Sequence, residues 1–142
     1  MEIIRLTSKN RQLVTDFLKI AGATTLQKFR YYDSRSLDIM DHHLATFIIR
    51  YQEASIAYGH LDKEEDTIWL GIAVAKDFQG KGLGALLMRH LLTYARLQKI
   101  PTVRLAVDLD NIAAIPLYQK FGFKPLRQTT KVVFMEWNLL SK

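Results

Sequence analysis

Apolar and polar positions fall into short blocks whose period changes from two to about 3.6 and back. Ile3 to Leu6 reads as a first strand. Ser8 is placed to cap a helix with Leu13, Val14, Phe17 and Ile20 on one face, and Gly22 ends it. Between Thr24 and His43 the pattern predicts two helical pieces, Leu26 to Tyr32 and Leu37 to Asp41. Leu44 to Tyr51 is β-branched and aromatic, a strand, with Gln52-Glu53 as the turn after it. Ser55 to Asp62 alternates, placing Ile56, Tyr58, His60 and Asp62 on one face. Lys63 to Asp66 reads as a charged, solvated turn.

Thr67 to Val74 is apolar on both faces, as a strand covered on both sides would be. A glycine-rich stretch follows, then a helix opened by Leu83, with Leu86, Leu87, His90, Leu91 and Tyr94 at helical spacing and Pro101 marking its end. Thr102 to Val107 is the next strand. Two strands joined through a helix run parallel, with a right-handed crossover. Asp110 or Asn111 caps a last helix through Phe121, stopped at Gly122, and Phe123 to Leu126 pairs with Lys131 to Leu139 as a hairpin. The expected fold is α/β (α+β): a mixed, mostly antiparallel sheet of six to seven strands with a central parallel pair and helices on both faces. No repeat or linker divides the chain, so one domain is expected over residues 1–142.

The junction Gln79-Gly80-Lys81-Gly82-Leu83-Gly84-Ala85 carries candidate chemistry. A helix's first amides lack internal partners, and its dipole adds about half a positive charge there. Glycines let backbone approach a phosphate closely, and Lys81 adds charge at the rim. Gly80-x-Gly82-x-x-Ala85 also satisfies the dinucleotide fingerprint. Against an oxidoreductase fragment, the preceding strand lies deep in the chain and no second nucleotide-binding half follows.

A second motif lies about thirty residues on, Asn111-x-x-Ala114-x-x-Leu117-Tyr118-x-x-x-Gly122-Phe123, which leaves room for one helix and one strand between the two. Together the two motifs resemble the GNAT superfamily of acetyl-CoA-dependent N-acetyltransferases, over Ile56 to Phe123. The resemblance implies that the parallel strands splay beside the glycine loop and that the cofactor enters the gap. It implies that Ile72, Ala73 and Val74 offer backbone groups to the pantetheine arm and thioester, while Gln79, Gly80, Lys81, Gly82, Leu83, Gly84 and Ala85 cradle the pyrophosphate. Asn111 would reach the pantetheine or phosphates, Ala114 would leave room for the cofactor, and Tyr118 would face the sulfur.

Acyl transfer to an amine needs a neutral nucleophile, a stabilised oxyanion and a stabilised leaving thiolate. An alkyl ammonium with a pKa of about 10.4 leaves only about one molecule in two thousand neutral at pH 7. Relatives often place a glutamate on the strand before the loop, whereas Ile68-Trp69-Leu70-Gly71-Ile72 holds no carboxylate. His60 and Asp62 are the substitutes, with a water relay as the third option, and His60 reads first as a hydrogen-bonded structural histidine. A tyrosine with pKa about 10 against a thiol of about 8.5 makes full proton transfer from Tyr118 uphill by roughly 2 kcal/mol, so a hydrogen bond to sulfur is its expected role. The Val74 amide is the candidate oxyanion donor. A non-catalytic acyl-CoA-binding or sensing module is the alternative to an enzyme.

Twenty Lys and Arg against fourteen Asp and Glu give a net charge of +6, which favours anionic partners. No basic run is interleaved with aromatics, so nucleic acid is not expected. The chain has no cysteine, which excludes disulfides, thiolate metal sites and a cysteine nucleophile. Direct transfer in a ternary complex is therefore expected, with no metal; His42-His43 reads as surface. No stretch is apolar enough to span a bilayer and no signal-peptide layout is seen, so no membrane partner and a cytoplasmic monomer or homodimer are expected. Phe29, Arg30 and Tyr32 are the candidate acceptor residues, able to stack on a ring and clamp an anionic small-molecule amine such as an amino sugar nucleotide or amino acid. A basic protein is a poor host for polycations.

Overall fold

The computed structural model describes residues 1–140. Seven strands form one sheet: β1 (Glu2–Arg5), β2 (His43–Tyr51), β3 (Ala54–Glu64), β4 (Thr67–Val74), β5 (Thr102–Asp108), β6 (Lys124–Gln128) and β7 (Val132–Asn138). Four α-helices accompany them among the described residues: α1 (Gln12–Ile20), α2 (Ala23–Lys28), α3 (Leu83–Leu97) and α4 (Ala114–Lys120). The sheet order is β1-β2-β3-β4-β5-β7-β6. Among the described residues β4 and β5 are the one parallel pair. They share a single registered position, Trp69 with Arg104, whereas β5 and β7 stay in register from Thr102 to Asp108. The parallel strands therefore separate beyond Trp69, and a gap opens toward their C-terminal ends.

The period-two reading of β3 is realised, and the strand runs further than expected. Glu64 pairs with Thr67, so the turn shrinks to Glu65-Asp66, with Glu65 at φ +55°. At the preceding hairpin Gln52 and Glu53 both take positive φ (49° and 67°), the conformation a two-residue turn needs to match strand twist. One face of β3 meets α3: a β-carbon at Gly59 would stand 3.1 Å from Leu91 and 3.3 Å from Leu87. The other face packs under α1, where Phe17 stacks on Tyr58 with ring centroids 6.0 Å apart. Two buried clusters result. One joins α3 and Tyr118 to the sheet, and the other joins Val14, Phe17 and Phe29 to Ile48, Tyr58 and Ala73.

Helix boundaries depart from the expectations in three places. Ser8 does not cap α1. Thr7 accepts from the Lys9 amide, and Asn10 accepts from the Thr7 amide, closing a short 3₁₀ turn before α1 begins without a side-chain cap. The helix expected through Tyr32 ends at Lys28, because Phe29 turns extended (φ −111°, ψ 91°) and its ring packs 5.2 Å from Tyr58. Burying that aromatic run against β3 outweighs continued helix, whose propensity is weak for aromatics. Neither Asp110 nor Asn111 caps α4, which starts at Ala114 with no side-chain cap bond.

Candidate active site

The gap between β4 and β5 continues as a cleft of about 460 Å³. Its walls are the end of β4, the glycine turn, the start of α3, the end of β5, α4, and Thr24, Thr25 and Lys28 of α2. Gly80 and Gly82 sit at φ +77° and +82°, conformations that cost any other L-residue and turn successive amides to one side. Nothing lies within 4 Å of a β-carbon built at either, so the concavity they line is open. Gly82 leads directly into α3, fifteen residues long, whose unpaired N-terminal amides and dipole favour an anion.

The ladder decides how Val74 presents its backbone. Ala75 donates its amide to the Ile56 carbonyl at 2.9 Å, and Val74 stands opposite Ala57. Hydrogen bonding alternates along an antiparallel pair, so the Val74 peptide groups point away from β3, toward the gap. Its carbonyl accepts from Thr25 Oγ1 at 3.0 Å and from Gln79 Nε2 at 3.2 Å, and Gln79 Nε2 also reaches Thr25 Oγ1 at 3.1 Å. The polar clasp ties α2 and the glycine turn to the end of β4 and leaves the Val74 amide as the gap-facing donor.

Ile72, Ala73, Val74, Gln79, Gly80 and Gly82 line the cleft, as do Leu83, Gly84, Ala85, Asn111 and Ala114. Lys81 is exposed outside that lining. Tyr118 also lines the cleft, 9% exposed, and burial pushes its hydroxyl up to about 12. It stays protonated at neutral pH and so has a proton to donate in a hydrogen bond. Leu117, one residue earlier, packs against the start of α3, where a β-carbon at Gly84 would come within 3.1 Å of it.

The acceptor-side candidates divide. Phe29 lines the cleft. Arg30 bonds the Gln27 carbonyl and pairs with Asp108 at 3.6 Å, and Lys28 pairs with Asp110 at 3.2 Å, so two ion pairs join the end of α2 and the residues after it to the end of β5 and the residues after it. Tyr32 points inward, its hydroxyl 2.6 Å from that of Tyr58. His60 is 2% exposed and bonds Tyr58 through Nδ1 at 2.6 Å. It sits behind the cleft wall, not in it. Burial, then His43 and Arg35, hold its imidazole well below the usual range.

Two polar side chains of this region are buried or half-buried. Asp62, the other candidate base, is no surface residue: it is 4% exposed and accepts from the Tyr31 hydroxyl at 2.7 Å, held by β3 against the aromatic cluster. His43 is no surface residue either. It opens β2, and its Nε2 lies 2.7 Å from the Tyr31 oxygen and its Nδ1 2.9 Å from Thr46 Oγ1. Tyr31 has one proton, given to Asp62, so His43 Nε2–H donates to Tyr31 and Nδ1 accepts from Thr46. Burial lowers His43 to about 4, which agrees with that neutral tautomer. Among the described residues no group of His, Cys, Asp or Glu is placed to hold a metal ion.

Residues 11–123 match the model of the Acetyltransferase (GNAT) family. The chain belongs to the GNAT family. The solved PaiA N-acetyltransferase of Thermoplasma acidophilum, in complex with coenzyme A, shares the fold with a TM-score of 0.77 at 16% identity, over 97% of this chain and 99% of that one. The [ribosomal protein bS18]-alanine N-acetyltransferase of Salmonella typhimurium is 39% identical over 70 residues, 49% of this chain and 47% of that protein. A probable spermine N(1)-acetyltransferase of Bacillus subtilis is 38% identical over 65 residues, 44% of this chain and 43% of that protein. The matched stretch is thus about half the length of these two GNAT relatives. No helix among the described residues is long and apolar enough to cross a membrane.

Thr25, Lys28, Asp108 and Gly71 also line the cleft and were not singled out in the sequence. Nothing in a lone Thr25 signals a clasp on Val74. Gly71 carried a signal, since glycine inside a strand often marks close approach by another group.

Proposed function

We propose that this GNAT protein transfers an acetyl group from acetyl-CoA to a primary amine by direct attack in a ternary complex. The carrying observation is the splayed β4–β5 gap, which runs into two left-handed glycines and the start of α3, with Tyr118 on its wall. The amides of Gly80 to Ala85 would hold the pyrophosphate, and Asn111 and Ala114 would flank the arm. The Val74 amide, aimed into the gap, would donate to the thioester oxygen as it gains charge. Acetyl-CoA supplies the activated acyl group and a thiolate leaving group.

Tyr118 would donate a hydrogen bond to the leaving sulfur. With its hydroxyl near 12 and a thiol at about 8.5, complete proton transfer would be uphill on the order of 5 kcal/mol. Stabilisation by hydrogen bonding is therefore its main contribution. With no cysteine in the chain and no Ser-His-acid grouping in the cleft, a covalent acyl-enzyme is not part of this reading.

For the acceptor, the observations support the class of primary amines. The anionic small-molecule reading rested on Arg30 and Tyr32, yet Arg30 faces Asp108 and Tyr32 bonds Tyr58. An anionic acceptor would have to draw Arg30 away from Asp108.

Thiol release from acetyl-CoA, measured across spermine, an alanine-starting peptide, an amino sugar nucleotide and free amino acids, tests the proposal. Turnover of at least one is expected. Tyr118→Phe should lower kcat about 100-fold with CoA affinity retained. CoA binding without turnover of any amine would make the protein a binding module instead.

A further inference from the structure

His60 lies behind the cleft wall with one nitrogen committed and the other set against Gly71 of that wall. Its Nδ1 contacts the Tyr58 hydroxyl at 2.6 Å, and that hydroxyl contacts the Tyr32 hydroxyl, also at 2.6 Å. Tyr58 is fully buried and Tyr32 partly so, which makes Tyr32 the member of this chain nearer the surface. Nε2 makes no hydrogen bond among the described residues. It lies against Gly71: a β-carbon there would stand 2.7 Å from Nε2 and 2.9 Å from Cε1. Gly71 is itself part of the cleft wall, opposite His60 in the β3–β4 register. Any larger residue at 71 would displace the ring or cover it, whereas glycine leaves Nε2 with no side chain of residue 71 over it.

We propose that His60 accepts the acceptor's ammonium proton at Nε2, through one water held at Gly71, and releases a proton from Nδ1 through Tyr58 and Tyr32 to solvent. The inference deepens the acetyltransferase reading and rests on it. It assigns the base that β4, lacking a carboxylate, does not supply.

The surroundings dictate how such a base works. His43, Asp62, Arg35, Tyr31, Tyr32 and Tyr58 are the titratable or charged groups about the ring. Asp62 is held by Tyr31, and Arg35 lies over the Tyr31 ring at 4.3 Å and 3.9 Å from Glu64, so no carboxylate is bonded to His60. Burial, with His43 and Arg35 adding to it, disfavours a standing imidazolium. A relay avoids that state. In the ready form Nδ1–H donates to Tyr58, Tyr58 donates to Tyr32, and Tyr32 donates to water. As the amine N–H bond breaks, its proton joins the water and the water's own proton forms Nε2–H, while Nδ1–H breaks and its proton forms the new Tyr58 O–H. The proton Tyr58 carried moves to Tyr32, and the proton Tyr32 carried leaves as hydronium. One proton enters and one leaves, and the ring changes tautomer without holding charge. Exchange with water at both ends restores the ready form.

The test compares wild type with His60→Asn, which keeps a donor near the Nδ1 position and lacks Nε2. The probe is the amine that wild type turns over best among spermine, an alanine-starting peptide, an amino sugar nucleotide and free amino acids. At pH 7 kcat/KM should fall about 100-fold. By pH 10, where an alkyl amine with pKa of about 10.4 is substantially neutral by itself, the two profiles should converge. A merely structural histidine would lower the whole profile without changing its shape, and equal losses at both pH values overturn the proposal, as does no loss at pH 7. Calorimetry with CoA reports whether the variant is folded. If His60→Asn does not bind CoA, Tyr32→Phe, which cuts the outlet at the partly exposed end, takes its place: a loss at pH 7 that closes by pH 10 supports the relay, and equal losses or none overturn it. If wild type binds CoA and acetylates no amine, the acetyltransferase reading fails and this inference with it. If wild type is active and the profiles keep one shape, only the relay fails.

Discussion

Thr25 and Val74, forty-nine residues apart, are joined by a 3.0 Å hydrogen bond from the threonine hydroxyl to the valine carbonyl. The bond fixes α2 to the last residue of β4 where that strand has left its parallel neighbour. Thr25 is buried and Gln79 is the other donor to the same carbonyl. Thr25→Val keeps the shape and removes the donor. Stability should fall by about 1 kcal/mol, read as a lower urea midpoint with an unchanged m-value. An unchanged midpoint would mean that Gln79 satisfies the carbonyl alone.

Gly82 has positive φ and open space where a side chain would go. Gly82→Ala therefore clashes with no protein atom, and its structural cost is the left-handed backbone, about 1 kcal/mol. The added methyl points into open space beside the cradle at the start of α3. CoA affinity should fall about tenfold, equal to 1.4 kcal/mol, measured by calorimetry. Wild-type affinity would place the phosphates elsewhere.

Arg30 and Asp108 form a half-exposed pair at the cleft. Such pairs add little to stability, so Arg30→Ala should shift the unfolding free energy by less than about 0.5 kcal/mol. Its effect should be on the acceptor. Releasing Asp108 lowers KM for a cationic amine and raises it for an anionic one, while the CoA dissociation constant stays put. The same change in KM for both amines would remove Arg30 and Asp108 from acceptor discrimination.

Buried histidines also set a pH dependence of stability. Burial lowers His43 from 6.5 to about 4, with Asp62 opposing and Arg35 and His42 assisting, and His60 shifts the same way. In the unfolded chain both bind protons as the pH drops through about 6.5, whereas the folded protein resists. The His43 contribution is complete above about 6.5 and is lost between there and about 4, and the His60 contribution falls in the same direction. The urea midpoint should be level from pH 8 to 7 and decline below. His43→Asn should make that decline shallower, and an equal slope in the variant would exclude His43 as a source.

The sequence by itself determined the strands, the crossover through α3 and the glycine turn that leads into it. Each is a local property: period-two alternation, a helical apolar stripe, and glycines where the backbone must take positive φ. The two motifs were legible for the same reason, since their residues lie close together on one turn or helix, and they placed Val74, Gly82, Asn111 and Tyr118 around one space. Only the tertiary structure decided what stands behind that space. Phe29 to Tyr32 left the helix that propensity allowed because the aromatic rings find β3, and Tyr31 there meets a buried Asp62. Thr25 reached Val74 across forty-nine residues. His60 met Gly71 through the register of two strands, and a one-residue slip of that ladder would have turned the imidazole to the α3 face. Contacts of this kind depend on which distant residues come into register, and no short stretch of sequence records that.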